Sequence, residues 1–92
     1  IIGKNVVISN SIIMDHTIIE DGSQIDGSII GRHSFIRSSD NKSTQINDLS
    51  VIGNNVTILT GCKINSTQIY PNVTIPKNQV LLNRIIQSSE VL

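Results

Sequence analysis

The sequence has no Ala and no Trp, a single Tyr (Tyr70), a single Phe (Phe35) and a single Cys (Cys62). Each shortage excludes something. Two aromatics cannot build a stacking platform for nucleic-acid bases. One thiol cannot close an internal disulfide, nor make a zinc site without several histidines beside it. Cys62 therefore reads as a small buried hydrophobe. No charge sign is in excess, with 7 Lys plus Arg against 7 Asp plus Glu. That balance argues against nucleic acid or an anionic membrane as partner. Apolar runs end after a few positions, and neither a signal peptide nor a membrane span is recognisable. A cytoplasmic location is the expectation. The four Asn-x-Ser/Thr triplets, at Asn41, Asn55, Asn65 and Asn72, read as a by-product of composition. Ninety-two residues suffice for one small domain.

What the chain does have is isoleucine, asparagine and serine in a strict rhythm. Without Ala and rich in Ile, it is poor helix material and good strand material. Ile2, Ile8, Ile13, Ile19, Ile25, Ile30 and Ile36 follow one another at steps of 6, 5, 6, 6, 5 and 6. Three steps make 17, so Ile2 recurs as Ile19 and Ile36, Ile8 as Ile25, and Ile13 as Ile30. Ile52, Ile58, Ile64, Ile69, Ile75 and Leu81 repeat the rule at 6, 6, 5, 6 and 6, and Ile86 follows after 5. A helix needs apolar residues at three- and four-residue intervals, and an antiparallel sheet needs hairpins between longer alternating strands. Neither fits. Three short strands per turn do, each turn stacking on the last at the strand spacing of about 4.8 Å.

The fold expected is therefore all-β: a single-stranded left-handed parallel β-helix of about five triangular coils. Handedness rests on resemblance to hexapeptide-repeat proteins, since parallel crossovers are ordinarily right-handed. The leading aliphatic of each unit points inward. So does the residue four places later in the six-residue units: Val6, Thr17, Ser23, Ser34, Val56, Cys62, Val73 and Gln79. In the five-residue units the small fourth residue (Ser11, Ser28, Ser50, Thr67) points in, and its successor (Ile12, Ile29, Val51, Gln68) points out.

One interruption breaks the register. Ile36 and Ile52 are 16 apart, where the same phases elsewhere lie 11 apart. The polar stretch 38–45, with turn formers Asp40 and Asn41, is read as a loop inserted at one corner. After it, Asp48-Leu49-Ser50-Val51-Ile52 mirrors Asp26-Gly27-Ser28-Ile29-Ile30. The expected layout is a β-helix over 1–86 and a tail over 87–92.

Two histidines are the only groups suited to general-base work at neutral pH. His16 and His33 each hold the fourth place of a unit, 17 residues apart. They should lie one above the other on an outward corner, about 5 Å apart, with Asn55 and Asn72 continuing the column. The competing reading is a solvated turn ladder, because Asn and His tolerate left-handed backbone. Asp21 and Asp26 sit beside corner glycines and read as turn residues. Arg32, Arg37 and Lys42, near the loop, are candidates for holding a phosphate. On the surface, Ile12, Ile29 and Val51 should form one outward apolar column, and Ile18 and Phe35 a second. Contiguous exposed apolar surface marks a contact site.

The stretches Asn10-Ser11-Ile12-Ile13-Met14, Gly27-Ser28-Ile29-Ile30-Gly31, Val51-Ile52-Gly53 and Ile69-Tyr70-Pro71-Asn72, with Ile75-Pro76 following, resemble a known group. They are similar to the C-terminal β-helix of sugar-1-phosphate nucleotidylyltransferases, such as mannose-1-phosphate guanylyltransferases and long-form glucose-1-phosphate thymidylyltransferases. The resemblance covers nearly the whole chain. It implies an N-terminal catalytic domain, with a Gly-rich phosphate loop and Mg²⁺-binding aspartates, that this sequence does not contain. The chain also opens inside a repeat, which suggests a fragment. The six glycines are isolated corner residues, so no catalytic residue carries over. The implied role is an accessory domain without a cofactor of its own. Its expected partners are that catalytic domain and further copies of the chain. The alternatives are an acyl-CoA-dependent acyltransferase, in which acetyl-CoA would bind beside a corner histidine, and the β-helix of a translation-initiation exchange-factor subunit.

Overall fold

The computed structural model describes residues 1–39 and 41–87. The expected tail over 87–92 lies outside the described residues except for Gln87. The described chain winds into a left-handed parallel β-helix of about five turns, without any helix. Its strands are two or three residues long and belong to three parallel sheets. The first face stacks β1 (Val7–Ser9), β4 (Gln24–Asp26), β7 (Gln45–Asn47), β10 (Lys63–Asn65) and β13 (Val80–Leu82). The second stacks β2 (Ile12–Ile13), β5 (Ile29–Ile30), β8 (Val51–Ile52), β11 (Gln68–Ile69) and β14 (Ile85–Ile86). The third stacks β3 (Ile18–Ile19), β6 (Phe35–Ile36), β9 (Thr57–Ile58) and β12 (Thr74–Ile75), with an isolated bridge from Ile2 to Ile19 below.

The leading isoleucines pair as the 17-residue recurrence predicts: Ile8 with Ile25, Ile13 with Ile30, and Ile19 with Ile36. Ile30 and Ile52 pair in one buried column. Each fully buried isoleucine contributes roughly 1.5–3 kcal/mol. Nearly all the small residues expected inside are buried or partly so; Val56, Cys62 and Val73 join the apolar core.

The five-residue corners explain their preference for hydroxyls. Ser11, Ser28 and Thr67 each donate to the carbonyl two residues back, at 2.8, 3.0 and 2.9 Å. A corner carbonyl is thereby satisfied without lengthening the turn. Ser11 and Ser50 also accept from the backbone N–H of the next coil, Ser28 and Thr67, at 3.0 and 3.2 Å. Left-handed backbone recurs at most corners and is filled mainly by Asn, His and Gly, the residues that bear it at least cost.

Coil three departs from the expected layout. Ile46, to which the spacing of leading aliphatics gave no place, is buried and pairs with Ile25 and Ile64 in β7. Gln45 opens that strand and Thr44 is buried, so the projecting loop is shorter than the 38–45 stretch. From Ile36 to Ile46 is ten residues where Ile19 to Ile25 is six. From Ile46 to Ile52 is six where Ile25 to Ile30 is five. Four extra residues thus lie in the loop and one in the next corner. The odd one is Leu49. Asp48 and Leu49 both have positive φ (59° and 64°), and Ser50 donates three residues back, to Asn47, instead of two. The loop is tied at its base. The Thr44 N–H donates to the Ser38 hydroxyl at 3.0 Å, and the Thr44 hydroxyl donates to the Arg37 carbonyl at 2.6 Å.

Candidate functional site

The corner joining the second face to the third carries the histidines. His16 and His33 both have left-handed backbone (φ 56° and 55°), as do Asn55 and Asn72 above them. Within this column the fourth residue of each unit donates its N–H to the third residue of the coil below. His33 reaches the Asp15 carbonyl, Asn55 that of Arg32 and Asn72 that of Asn54, at 3.3, 2.9 and 3.1 Å. The rings of His16 and His33 are stacked, with centroids 5.0 Å apart and planes 4° from parallel. The spacing is that of one coil.

The surroundings of this pair are those of a solvated ladder. Asp15 lies 3.6 Å from Nε2 of His16, but its other oxygen takes Nε of Arg32 at 2.9 Å. All of these side chains are exposed, so no low-dielectric cleft sharpens their chemistry. A shallow depression lies elsewhere, lined by Ile1, Gly3, Ile18, Glu20, Asp21 and Ser38. It contains neither histidine. Among the described residues no group of three or more His, Cys, Asp or Glu is placed to hold a metal ion.

Other polar candidates are absorbed by structure. Arg32 is paired with Asp15, while Arg37 lies 3.4 Å from Glu20 and over the Phe35 ring at 5.6 Å. Two of the three cations suggested for a phosphate are therefore each engaged by a carboxylate. Asp21 accepts the Lys4 N–H at 2.7 Å, and Asp26 accepts the Ser9 hydroxyl at 2.8 Å, both as corner ties. Cys62 is buried and donates to the Pro76 carbonyl at 3.0 Å. Burial pushes its thiol pKa up, against backbone hydrogen bonds from Gln79 and Asn78 that lower it. A protonated, enclosed thiol is not a nucleophile.

The apolar outer surface is distributed unevenly. On the second face Ile12, Ile29 and Val51 are 58%, 38% and 41% exposed and stack in register. Ile85, paired above Gln68, extends the column at 55%, and Met14 and Tyr70 flank it as further exposed side chains. Ile85 obeys the same rule as Val51. It was masked because Arg84, not a small residue, precedes it. On the third face Ile18 and Phe35 are only half-exposed, the latter beneath Arg37.

A family model described as GMPPB C-terminal domain matches residues 1–86. No curated protein sequence matches the chain. One similar solved structure is a serine acetyltransferase isoform 3 from Entamoeba histolytica in complex with cysteine. It is 18% identical with a TM-score of 0.46, over 94% of this chain and 36% of that one. The present chain thus spans about a third of that protein's length. Another is the CcmM N-terminal domain in complex with CcmN, 17% identical with a TM-score of 0.42, over 100% of this chain and 87% of that one.

Proposed function

Because this chain belongs to the GMPPB C-terminal domain family, we propose that it is the accessory β-helix of a sugar-1-phosphate nucleotidylyltransferase, acting through a docking surface and not through chemistry of its own. The observation that carries this reading is the contrast between the two candidate sites. The histidine corner is exposed, has no cleft and spends its carboxylate on Arg32. The second face offers a continuous apolar column from Ile12 to Val51, resumed at Ile85. Such a strip costs solubility unless something covers it. In this reading nucleotide, sugar phosphate and Mg²⁺ are handled by a separate catalytic domain, and the β-helix packs against it or against further copies.

Calorimetric titration of the chain with acetyl-CoA tests the reading against acyl transfer. No saturable heat is expected, with or without His33→Ala. A saturable signal that His33→Ala removes would overturn the accessory role in favour of an acyltransferase.

A further inference from the structure

We propose that His16 and His33 chelate one late first-row divalent metal ion, of the Ni²⁺, Cu²⁺ or Zn²⁺ class, at the corner between the second and third faces. The site lies off the docking face and does not depend on it. An exposed pair without a cleft is unsuited to acid–base work, but metal ligation needs only two nitrogen lone pairs that converge.

The solenoid itself brings the rings together. Residues 17 apart lie one coil apart here, and both histidines leave the backbone from nearly the same conformation, φ 56° and 55°. Their side chains therefore start out parallel, and the rings stack at 5.0 Å with planes 4° apart. The corner is tied from both sides. Outside, the His33 N–H donates to the Asp15 carbonyl at 3.3 Å. Inside, the next residues, Thr17 and Ser34, are buried and donate to the Gly31 and Gly53 carbonyls at 2.7 and 2.9 Å. These ties hold the coils at one spacing. The pair is thus assembled before any ion arrives, which lowers the ordering cost of binding.

Distance and donor type decide what the pair can hold. Metal–imidazole bonds of about 2.0–2.1 Å let one ion join nitrogens up to about 4.2 Å apart. With centroids 5.0 Å apart, the nitrogen edges reach that span by tilting together by roughly 1 Å. Both side chains are exposed, and the χ2 torsion of His is broad, so the tilt costs little. Imidazole suits Ni²⁺, Cu²⁺ and Zn²⁺, whereas Mg²⁺ and Ca²⁺ demand oxygen. Asp15, the carboxylate 3.6 Å from Nε2 of His16, is taken by Arg32 at 2.9 Å. Two nitrogens and water therefore make up the shell, and binding is reversible. Above the pair the column continues as Asn55 and Asn72, whose amide oxygens match these ions poorly. One ion per chain follows.

Calorimetric titration of the chain with Ni²⁺, and with Mg²⁺ as control, tests the site. Substitution by Asn keeps the corner intact, because Asn55 and Asn72 hold the same place with the same left-handed backbone. The wild type should bind one Ni²⁺ and no Mg²⁺. The second bond is intramolecular, so His16→Asn and His33→Asn should each weaken Ni²⁺ binding at least about tenfold. Thermal midpoints without metal should stay the same. Moving the pair is the sharper arm. His16→Asn combined with Asn55→His again sets two imidazoles one coil apart and should restore binding. His16→Asn combined with Asn72→His sets them two coils, about 10 Å, apart and should not. Equal binding by the two double variants would mean that each imidazole binds alone, and would overturn the chelate. So would single variants that halve the stoichiometry at unchanged affinity. A wild-type chain with no saturable heat at millimolar Ni²⁺ would overturn the site altogether.

Discussion

The second and third faces begin from the same sequence signal and end differently. Both place an apolar residue just before the inward isoleucine: Ile12, Ile29 and Val51 on one, Ile18 and Phe35 on the other. On the third face the position after the isoleucine holds Glu20 and Arg37, which pair, and Arg37 lies across Phe35. In the middle of the second face that position holds Gly31 and Gly53, which cover nothing. An outward apolar residue is thus available for docking only when its neighbour two places on lacks the reach to shield it. A long charged side chain does so with its aliphatic stem.

The largest effect should come from breaking what the two faces share. Ile30 is fully buried behind Ile29. Ile30→Asp buries an unpaired carboxylate, costs several kcal/mol and should abolish the thermal transition. An unchanged midpoint would refute the register.

Next is the close approach of coils at Gly31. A Cβ at Gly31 would lie 2.6 Å from the Gly53 carbonyl oxygen. Because backbone must move, Gly31→Val should lower stability by about 1–3 kcal/mol, measured by urea denaturation. At the equivalent place on the third face Arg37 is accommodated, so Arg37→Ala should change stability by no more than about 1 kcal/mol. That variant should make the third face resemble the second. Binding of an apolar dye should rise as Phe35 is uncovered; unchanged binding would mean that Arg37 does not shield it.

Smaller still is the effect of the coil-three loop, which follows the third face. Removing the four residues 39–42 returns the Ile36–Ile46 interval to six. It should alter stability by about 1 kcal/mol or less, since loop closure varies slowly with length. Removing five would leave the coil one residue short, and the two deletions should differ clearly in thermal midpoint.

Most of the fold was legible because an inward column demands an aliphatic at fixed spacing, and Ile or Leu supplies it in every coil. The histidine column was equally legible, down to its stacking, because corner positions recur every 17 residues. Coil three was not. Two separate insertions, four residues in the loop and Leu49 at the next corner, displaced Ile46 from both flanking registers. Its burial among Ile25 and Ile64 is visible only once β7 is paired. Nor could spacing alone separate the two apolar strips, since shielding of Phe35 depends on where the long Arg37 side chain lies.

If the domain docks through its second face, charge placed on that face must abolish association. Light scattering of the wild-type chain beside Ile12→Lys combined with Ile29→Lys tests this at equal concentration, with thermal midpoints measured on both. Both positions are exposed, so the midpoints should agree within a few degrees. The scattering mass should fall to that of the monomer in the double variant alone. Equal association in both proteins would contradict a docking role for this face, and so would a collapse of the variant's midpoint like that of Ile30→Asp.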